Sequence, residues 1–213
     1  MDQAACLICL ADLFLDNGQS DAAEETITRS IHLVEKGAEF PLCQSHLLLG
    51  DISVSQGKRE KAIHHYNTAI GIASRFNWHN KLLSVHYSLA NLFGDEDKFD
   101  DAHLHLEQAR QYAMGNQYFL GRVMEAQAEM WYSQGRYEAG AAEVLRAIEI
   151  YEKLGAARDL EGCRDLLRNI ERAFKELPAP GESDSGGEFS EINLLPTPAN
   201  FPFQCYPAPP NVC

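Results

Sequence analysis

Residues 128–155 read AEMWYSQGRYEAGAAEVLRAIEIYEKLG, and this stretch decides the fold. Small side chains stand seven residues before, five after and twelve after Gly135, at Ala128, Gly140 and Ala147. Apolar residues between them recur at spacings of three and four, which predicts one buried stripe on each of two helices. Gly135 provides the backbone freedom that ends one helix and starts the next. The stretch therefore predicts two antiparallel helices that approach closely at their small residues.

The same arrangement occurs four times along the chain. The turn position falls at intervals of 39, 40 and 38 residues, at Gly18, Gly57, Asp97 and Gly135. Small residues recur with it: seven before at Ala11, Gly50, Ala90 and Ala128, five after at Ala23, Ala62, Ala102 and Gly140, and twelve after at Ser30, Ala69, Ala109 and Ala147. One helix pair cannot bury its apolar face alone, so we expect four pairs stacked into a solenoid.

The order small, aromatic, glycine, alanine, bulky apolar and alanine resembles the tetratricopeptide repeat over about residues 4 to 155. The most typical stretches are residues 135–138 and 147–155. The spacing exceeds the family's basic 34 residues and is similar to its subtype of roughly 40 residues, which occurs in repeat arrays of fungal and bacterial STAND-type NTPases. The resemblance implies an all-α, right-handed superhelical solenoid with a concave groove. Asp97 departs from the family's glycine, and Gln127 from its leucine.

Two segments are predicted: a helical repeat domain at 1–176 and a disordered tail at 177–213, where six prolines from residue 196 onward exclude a packed helix or strand. Apolar residues in the tail leave a short binding motif open. Helix pairs are predicted at 2–16 with 20–36, 41–56 with 59–76, 79–94 with 98–114 and 117–134 with 137–154, followed by a capping helix at 157–176. The first helix has no polar cap before it, which favours the C-terminal part of a longer repeat array.

The net charge of −13 argues against nucleic acid and against an anionic membrane surface as partners. The sequence contains neither a long apolar run nor a secretory lead-in, so we expect a cytoplasmic protein. Its six cysteines are expected to be free thiols in such a reducing compartment. Cys6 and Cys9, three apart on an apolar helix, are interpreted as core thiols rather than as a metal or redox pair.

The sequence contains no phosphate-binding loop, dinucleotide fingerprint or nucleophile elbow. Among eight histidines, His46 and His86 stand at equivalent positions, eleven before the turn, which favours a core-lining role for both. Two further pairs lie within one helix at spacings that do not converge on a metal: His64 with His65, and His103 with His105. We therefore predict a protein that is not an enzyme and that holds no cofactor and no metal.

The candidate site is the groove that the resemblance implies. In the family, the position six before each turn faces this groove, and here it carries Asp12, Asp51, Asn91 and Glu129. Asp and Asn are poor residues for the middle of a helix, so their recurrence calls for a reason. The complete predicted partner-binding set is Asp12, Asp51, Tyr87, Asn91, Glu125, Glu129 and Tyr132. Nearby Arg122 is expected to pair with Glu125 or Glu129. A solvated acidic face without a partner is the alternative interpretation.

The preferred functional hypothesis is a non-enzymatic protein–protein interaction scaffold that binds a basic or amphipathic peptide or helical segment in this groove. The alternative hypothesis is a regulatory sensor array within a larger STAND-type NTPase. The family's best-known groove binds the C-terminal carboxylate of chaperones through Lys and Asn residues. The matching positions here carry Ile8, Cys9, Asp12, Leu48 and Ser88, with Asn91 the only partial match. A chaperone tail is therefore not an expected partner.

Overall fold

The computed structural model describes residues 3–34, 38–113 and 115–176, so the predicted tail at 177–213 lies outside the described residues. Within these ranges the chain forms helices and no strand: α1 Gln3–Asp16, α2 Ser20–Leu33, α3 Glu39–Ser55, α4 Arg59–Arg75, α5 His79–Gly94, α6 Phe99–Tyr112, α7 Gln117–Ser133, α8 Tyr137–Leu154 and α9 Ala157–Lys175. These bounds agree with the predicted helices to within a few residues. The predicted all-α fold is confirmed, and none of the described helices is long and apolar enough to cross a bilayer.

The turn inside each helix pair is built in one way throughout the array. Its central residue adopts a left-handed φ, of +73° at Gly18, +69° at Gly57, +57° at Asp97 and +70° at Gly135. At the second turn, the amide of Gly57 donates to the carbonyl of Val54 at 2.9 Å, and the amide of Lys58 donates to the carbonyl of Ser53 at 2.7 Å. These bonds satisfy helix-end carbonyls in the Schellman manner. Asp97 can replace glycine because Asp tolerates this region better than most side chains.

The helices form two layers. The first helices of successive pairs contact one another in order along the array, from α1 through α3, α5 and α7 to α9. The second helices, among the described residues, pack along their backbones only against the helices before and after them in the chain, although an ion pair joins Arg110 of α6 to Glu143 of α8. The first helices therefore make an inner layer and the second helices an outer layer, as in a superhelical solenoid.

Small residues lie where the helices approach most closely. Ala11, Ala62, Ala102 and Ala109 are all completely buried. Larger side chains complete each buried cluster across helix boundaries: Tyr66 of α4, for example, packs in one cluster with residues of α3 and α5. The core thus runs between the layers from one pair to the next, as the predicted register requires.

One face of α1 differs from the prediction. Cys6 and Cys9 are exposed, and so are Leu10 and Leu13, at 42% and 59%. The expectation that both cysteines are core thiols is therefore wrong. The reason is that α1 packs against α2 and α3 through its other faces, and no described helix covers the side that carries the cysteines. Apolar character alone did not reveal which face of this helix is covered.

The last helix, α9, matches the predicted capping helix. Cys163 and Ile170 are buried against α8, whereas the charged residues Arg158, Arg164 and Arg168 are exposed. This polar outer surface is typical of the terminal helix of a repeat array.

Candidate functional site

The predicted partner-binding residues all lie on inner-layer helices, from α1 to α7. Three of them are exposed: Asp12, Asn91 and Glu129. The other four are half-buried: Asp51, Tyr87, Glu125 and Tyr132. The set therefore divides into side chains that are open to a partner and side chains that also pack within the solenoid.

Asp51, on α3, is held by groups from two other helices. The hydroxyl of Tyr66, on α4, donates to Oδ1 of Asp51 at 2.6 Å. The hydroxyl of Ser88, on α5, donates to the same oxygen at 3.3 Å. These bonds give the mid-helix Asp51 a structural role that the recurrence of acidic residues did not predict.

Tyr66 reaches Asp51 because Gly50 leaves room for its ring. A Cβ atom placed on Gly50 would overlap the ring of Tyr66. In the other pairs, the position of Gly50 carries an alanine and the position of Tyr66 a shorter apolar side chain, as in Ala11 with Ile27, Ala90 with Leu106 and Ala128 with Val144. In the second pair, a glycine replaces the alanine and a tyrosine replaces the shorter apolar residue. This paired change was a signal of the contact in the sequence, whereas the spacing of acidic residues gave no indication of it.

Glu125 has a similar environment at the other end of the array. The hydroxyl of Tyr151, on α8, donates to Oε2 of Glu125 at 3.1 Å. The charge of this carboxylate also helps to raise the pKa of the Cys163 thiol, on α9, although burial of the thiol is the larger cause. Gly121 makes room for the tyrosine, since a Cβ there would lie 2.8 Å from Cε1 of Tyr151. Each half-buried acid thus accepts a hydrogen bond from an outer-layer tyrosine, and the ring of that tyrosine packs against a glycine of the inner-layer helix.

Partial desolvation of the carboxyl group raises the pKa of all four acids of the set: Asp12, Asp51, Glu125 and Glu129, hereafter the inner-layer acids. This includes Asp12 and Glu129, which are exposed as whole residues. Neighbouring carboxylates raise these pKa values further, with Asp12 acting on Asp51 and Glu125 acting on Glu129. None of the salt bridges among the described residues includes an inner-layer acid. In the described part of the chain, no cation therefore lies within ion-pair distance of these carboxylates, although Arg122 acts on Glu125 from farther away and lowers its pKa.

Some acidic residues elsewhere in the solenoid have cationic partners. Ion pairs join Glu24 with Lys58, Glu39 with Arg75, Glu96 with Arg59 and Lys98, and Glu143 with Arg110 and Arg146. Other exposed acids, such as Glu60, Asp100 and Glu138, also have no ion-paired cation among the described residues, so the lack of an ion pair alone does not distinguish the inner-layer acids.

Arg122 does not pair with Glu125 or Glu129, contrary to the prediction. Its guanidinium lies 5.0 Å from the ring centroid of Tyr87, on the neighbouring helix α5, and donates to the tyrosine hydroxyl at 3.4 Å. A guanidinium stacks readily on an aromatic face, which explains this preference. Arg122 and Tyr87 therefore form a cation–π pair on the inner layer.

Tyr132, on α7, packs within the solenoid. Its ring centroid is 5.9 Å from that of Tyr137, and it packs against the buried cluster around α8. Ile8 and Leu48, which belong to the compared chaperone-binding positions, are each only 4% exposed and are part of the core. These three side chains therefore contribute to packing.

Two histidine contacts were also not predicted from the sequence. Nδ1 of His46 lies 3.2 Å from Nδ1 of His65, and Nδ1 of His86 lies 3.0 Å from Nδ1 of His105. Each contact joins the two helices of one pair, whereas the predictions concerned histidines within a single helix. Among the described residues, no group of three or more His, Cys, Asp or Glu side chains could hold a metal ion.

Comparison with solved structures supports the fold. The crystal structure of BtubC (BKLC) from P. vanneervenii is similar with a TM-score of 0.60, over 87% of this chain and 86% of that chain. The two sequences are 19% identical, so the likeness concerns the fold alone. No curated protein matches the sequence.

Two family models match the sequence, both described as tetratricopeptide repeat. One covers residues 44–76, which span most of α3 and α4, and the other covers residues 87–154, from α5 to the end of α8. The matched ranges carry the turn residues Gly57, Asp97 and Gly135 and the helix pairs around them. The predicted resemblance is thereby confirmed, and the chain is a tetratricopeptide repeat protein.

Proposed function

We propose that this chain is a non-enzymatic protein–protein interaction scaffold that takes a basic or amphipathic helical segment of a partner protein into an acidic groove on its inner layer. Repeats of this family commonly serve as interaction scaffolds. The observation that carries the proposal is a set of four carboxylates on inner-layer helices, the inner-layer acids, which are partly desolvated and have no cation within ion-pair distance among the described residues.

A basic partner would relieve an electrostatic cost within the solenoid. Burial and mutual repulsion raise the pKa of the inner-layer acids, so their ionised forms are disfavoured in the free protein. Lys or Arg side chains of a bound segment would favour the ionised forms and lower these pKa values. Binding should therefore be strongest where the carboxylates are ionised, near neutral pH.

The cation–π pair of Tyr87 and Arg122 would supply an anchor beside the acids. Aromatic and arginine side chains carry much of the binding energy at protein interfaces, whereas exposed charges chiefly speed association. A bound segment with an apolar side chain between its basic residues would therefore contact both kinds of group.

The proposal includes a cytoplasmic location. All four cysteines of the described residues are free thiols, of which Cys43 and Cys163 are buried. Free thiols are typical of a reducing compartment.

The test reverses charge at the two exposed inner-layer acids. A partner is first captured by pull-down with the full chain and identified by mass spectrometry. Asp12→Lys combined with Glu129→Lys should then weaken its binding, measured by calorimetry, and flatten the dependence of affinity on salt. Asp51 is left unchanged because its bond to Tyr66 contributes to packing.

The matched control carries the same charge change on the outer layer, with Glu25→Lys and Glu138→Lys at exposed positions of α2 and α8. It should bind the partner with nearly the wild-type affinity. Equal weakening in the two double variants would show that only net charge matters. Unchanged binding by the inner-layer variant would contradict the proposed groove.

A further inference from the structure

Two histidine pairs repeat one geometry in the second and third helix pairs. Each joins the position eleven before the turn to the position eight after it, as His46 with His65 and His86 with His105. The ring centroids are 5.4 Å and 5.2 Å apart, and the ring planes meet at 32° and 34°. The same positions carry other residues in the first and fourth repeats, Leu7 with Thr26 and Met124 with Glu143. The two pairs are therefore one repeated feature of the middle of the array.

The contact between two Nδ1 atoms allows one proton between them. In a neutral pair, Nδ1 of one imidazole donates and Nδ1 of the other accepts. A pair with one extra proton can still keep this bond. A doubly protonated pair brings two N–H groups and two positive charges face to face, so the contact is lost.

We propose that the two histidine pairs form an acid-sensitive latch, which holds α3 against α4 and α5 against α6 near neutral pH and releases them on acidification. The latch does not depend on the proposed groove. The two features are neighbours in sequence, since Tyr87 directly follows His86 on α5.

The surroundings of the third helix pair favour neutral imidazoles. His86 is only 9% exposed, and its ring stacks on that of Tyr112 at 5.8 Å. The ring of His105 stacks on that of Phe93 at 5.4 Å. Within the described part of the chain, Asp101, one turn before His105 on α6, is the carboxylate that favours protonation of this pair, and His105 is the charge that acts on His86.

The second helix pair has more charged neighbours. His64 and Lys61, both on α4, oppose protonation of His65, whereas Glu24 on α2 favours it. Protonation of His46 is opposed by His65 and His64. We therefore expect the latch of the third pair to be the more sensitive one, since it is the more deeply buried.

The direction of the pH effect follows from these surroundings. Burial is the largest cause that lowers the pKa of all four histidines, and it brings that of His86 to about 4. The unfolded chain takes up these protons near pH 6.5, its ordinary histidine pKa. The stability from the latch is therefore complete above about pH 6.5 and is lost as the pH falls toward the lower pKa of the folded state. The inner-layer acids have raised pKa values, so their contribution to stability increases, rather than decreases, as the pH falls.

The first test replaces the latch by the residues of the first repeat. The variant carries His46→Leu, His65→Thr, His86→Leu and His105→Thr, and urea unfolding is followed at about pH 7.5 and about pH 5.5 with chelator present. The wild-type midpoint should drop on acidification, and the variant's midpoint should drop clearly less. His79→Gln, at an exposed histidine on α5, is the matched control and should follow the wild type. An equal drop in the wild type and the latch variant would overturn the proposal.

The second test uses the wild-type chain, so it does not depend on the variant folding. Nuclear magnetic resonance follows the imidazole nitrogens of each histidine, and hydrogen exchange compares the helices at both pH values. His86 and His105 should titrate below the ordinary pKa of about 6.5, and amide protection corrected for intrinsic exchange should fall in α5 and α6 before it falls in α8. Titration of His86 at or above that pKa, or uniform loss of protection, would overturn the latch.

Discussion

The hydroxyl of Tyr66 on α4 donates a 2.6 Å hydrogen bond to Oδ1 of Asp51 on α3, beside the backbone of Gly50. An outer-layer side chain thereby reaches an acid of the inner layer. Ser88 on α5 bonds to the same oxygen, so one carboxylate connects two successive helix pairs. A charge proposed for partner binding is thus also part of the packing between repeats, and changes at Asp51 affect both.

Tyr66→Phe should lower the free energy of unfolding by about 1–3 kcal/mol, since it removes one of the two hydroxyls that satisfy a half-buried carboxylate. Urea unfolding at neutral pH measures the change. Tyr112→Phe is a suitable control, because no hydrogen bond involves the hydroxyl of Tyr112 among the described residues. Equal losses in the two variants would mean that the bond to Asp51 contributes little.

Gly50→Ala and Gly71→Ala should change stability in opposite directions. A Cβ on Gly50 would overlap the ring of Tyr66, and overpacking of this kind costs about 1–3 kcal/mol. A Cβ on Gly71, within α4, would meet nothing within 4 Å, so the higher helix propensity of alanine should add about 0.5–1 kcal/mol. Thermal unfolding of both variants compares the signs. A neutral Gly50→Ala would show that the ring moves aside freely.

The helix bounds and turns could be predicted because they depend on local properties. Apolar spacing marks each helix, and the left-handed turn positions at Gly18, Gly57 and Gly135 are marked by glycine. The assignment to the longer repeat subtype and the hypothesis of an NTPase-associated sensor array stay predictions, since neither follows from the fold.

The environment of the candidate site was harder to predict, because it depends on which side chains meet across a helix pair. The family resemblance implied that Asp51 faces the groove, and this stays a prediction, but neither the resemblance nor the recurrence of acidic residues indicated that Tyr66 reaches this carboxylate. Arg122 had two acidic neighbours on its own helix, yet it stacks on Tyr87 of the preceding repeat. Comparison of equivalent positions across the repeats, rather than of residues within one helix, would have suggested the contact between Tyr66 and Asp51.

Cys6 and Cys9 should react with thiol reagents much faster than Cys43 and Cys163. The first two are exposed on α1, whereas burial raises the pKa of Cys43 and brings that of Cys163 to about 12. The thiolate is the reactive form, so the buried thiols should react only after unfolding. Peptide mapping by mass spectrometry after brief labelling measures each site, in a variant with both tail cysteines replaced by serine. Slow labelling of Cys6 and Cys9 would show that another surface covers this face in solution.

Glu125→Gln should leave the solenoid at least as stable as the wild type at pH 7, although it removes a charge that accepts hydrogen bonds. Burial is the main cause that raises the pKa of Glu125, which means that the ionised carboxylate is disfavoured in the folded state. Its stabilising contribution is complete below the ordinary Glu pKa of about 4.3 and is lost as the pH rises through the raised folded value. Glutamine keeps an acceptor for Tyr151 and carries no charge, so the difference from the wild type should be largest near neutral pH.

Urea unfolding of Glu125→Gln at about pH 7 and about pH 5 tests this sign, because the advantage over the wild type should shrink at the lower pH. Glu161→Gln, at an exposed position on α9 that has no ion-paired cation among the described residues, is the control and should show no such trend. A large loss of stability in Glu125→Gln would mean that the ionised carboxylate organises α7 and α8. A stable variant that binds a basic partner less tightly would instead show that the solenoid retains this charge for recognition, at the expense of its own stability.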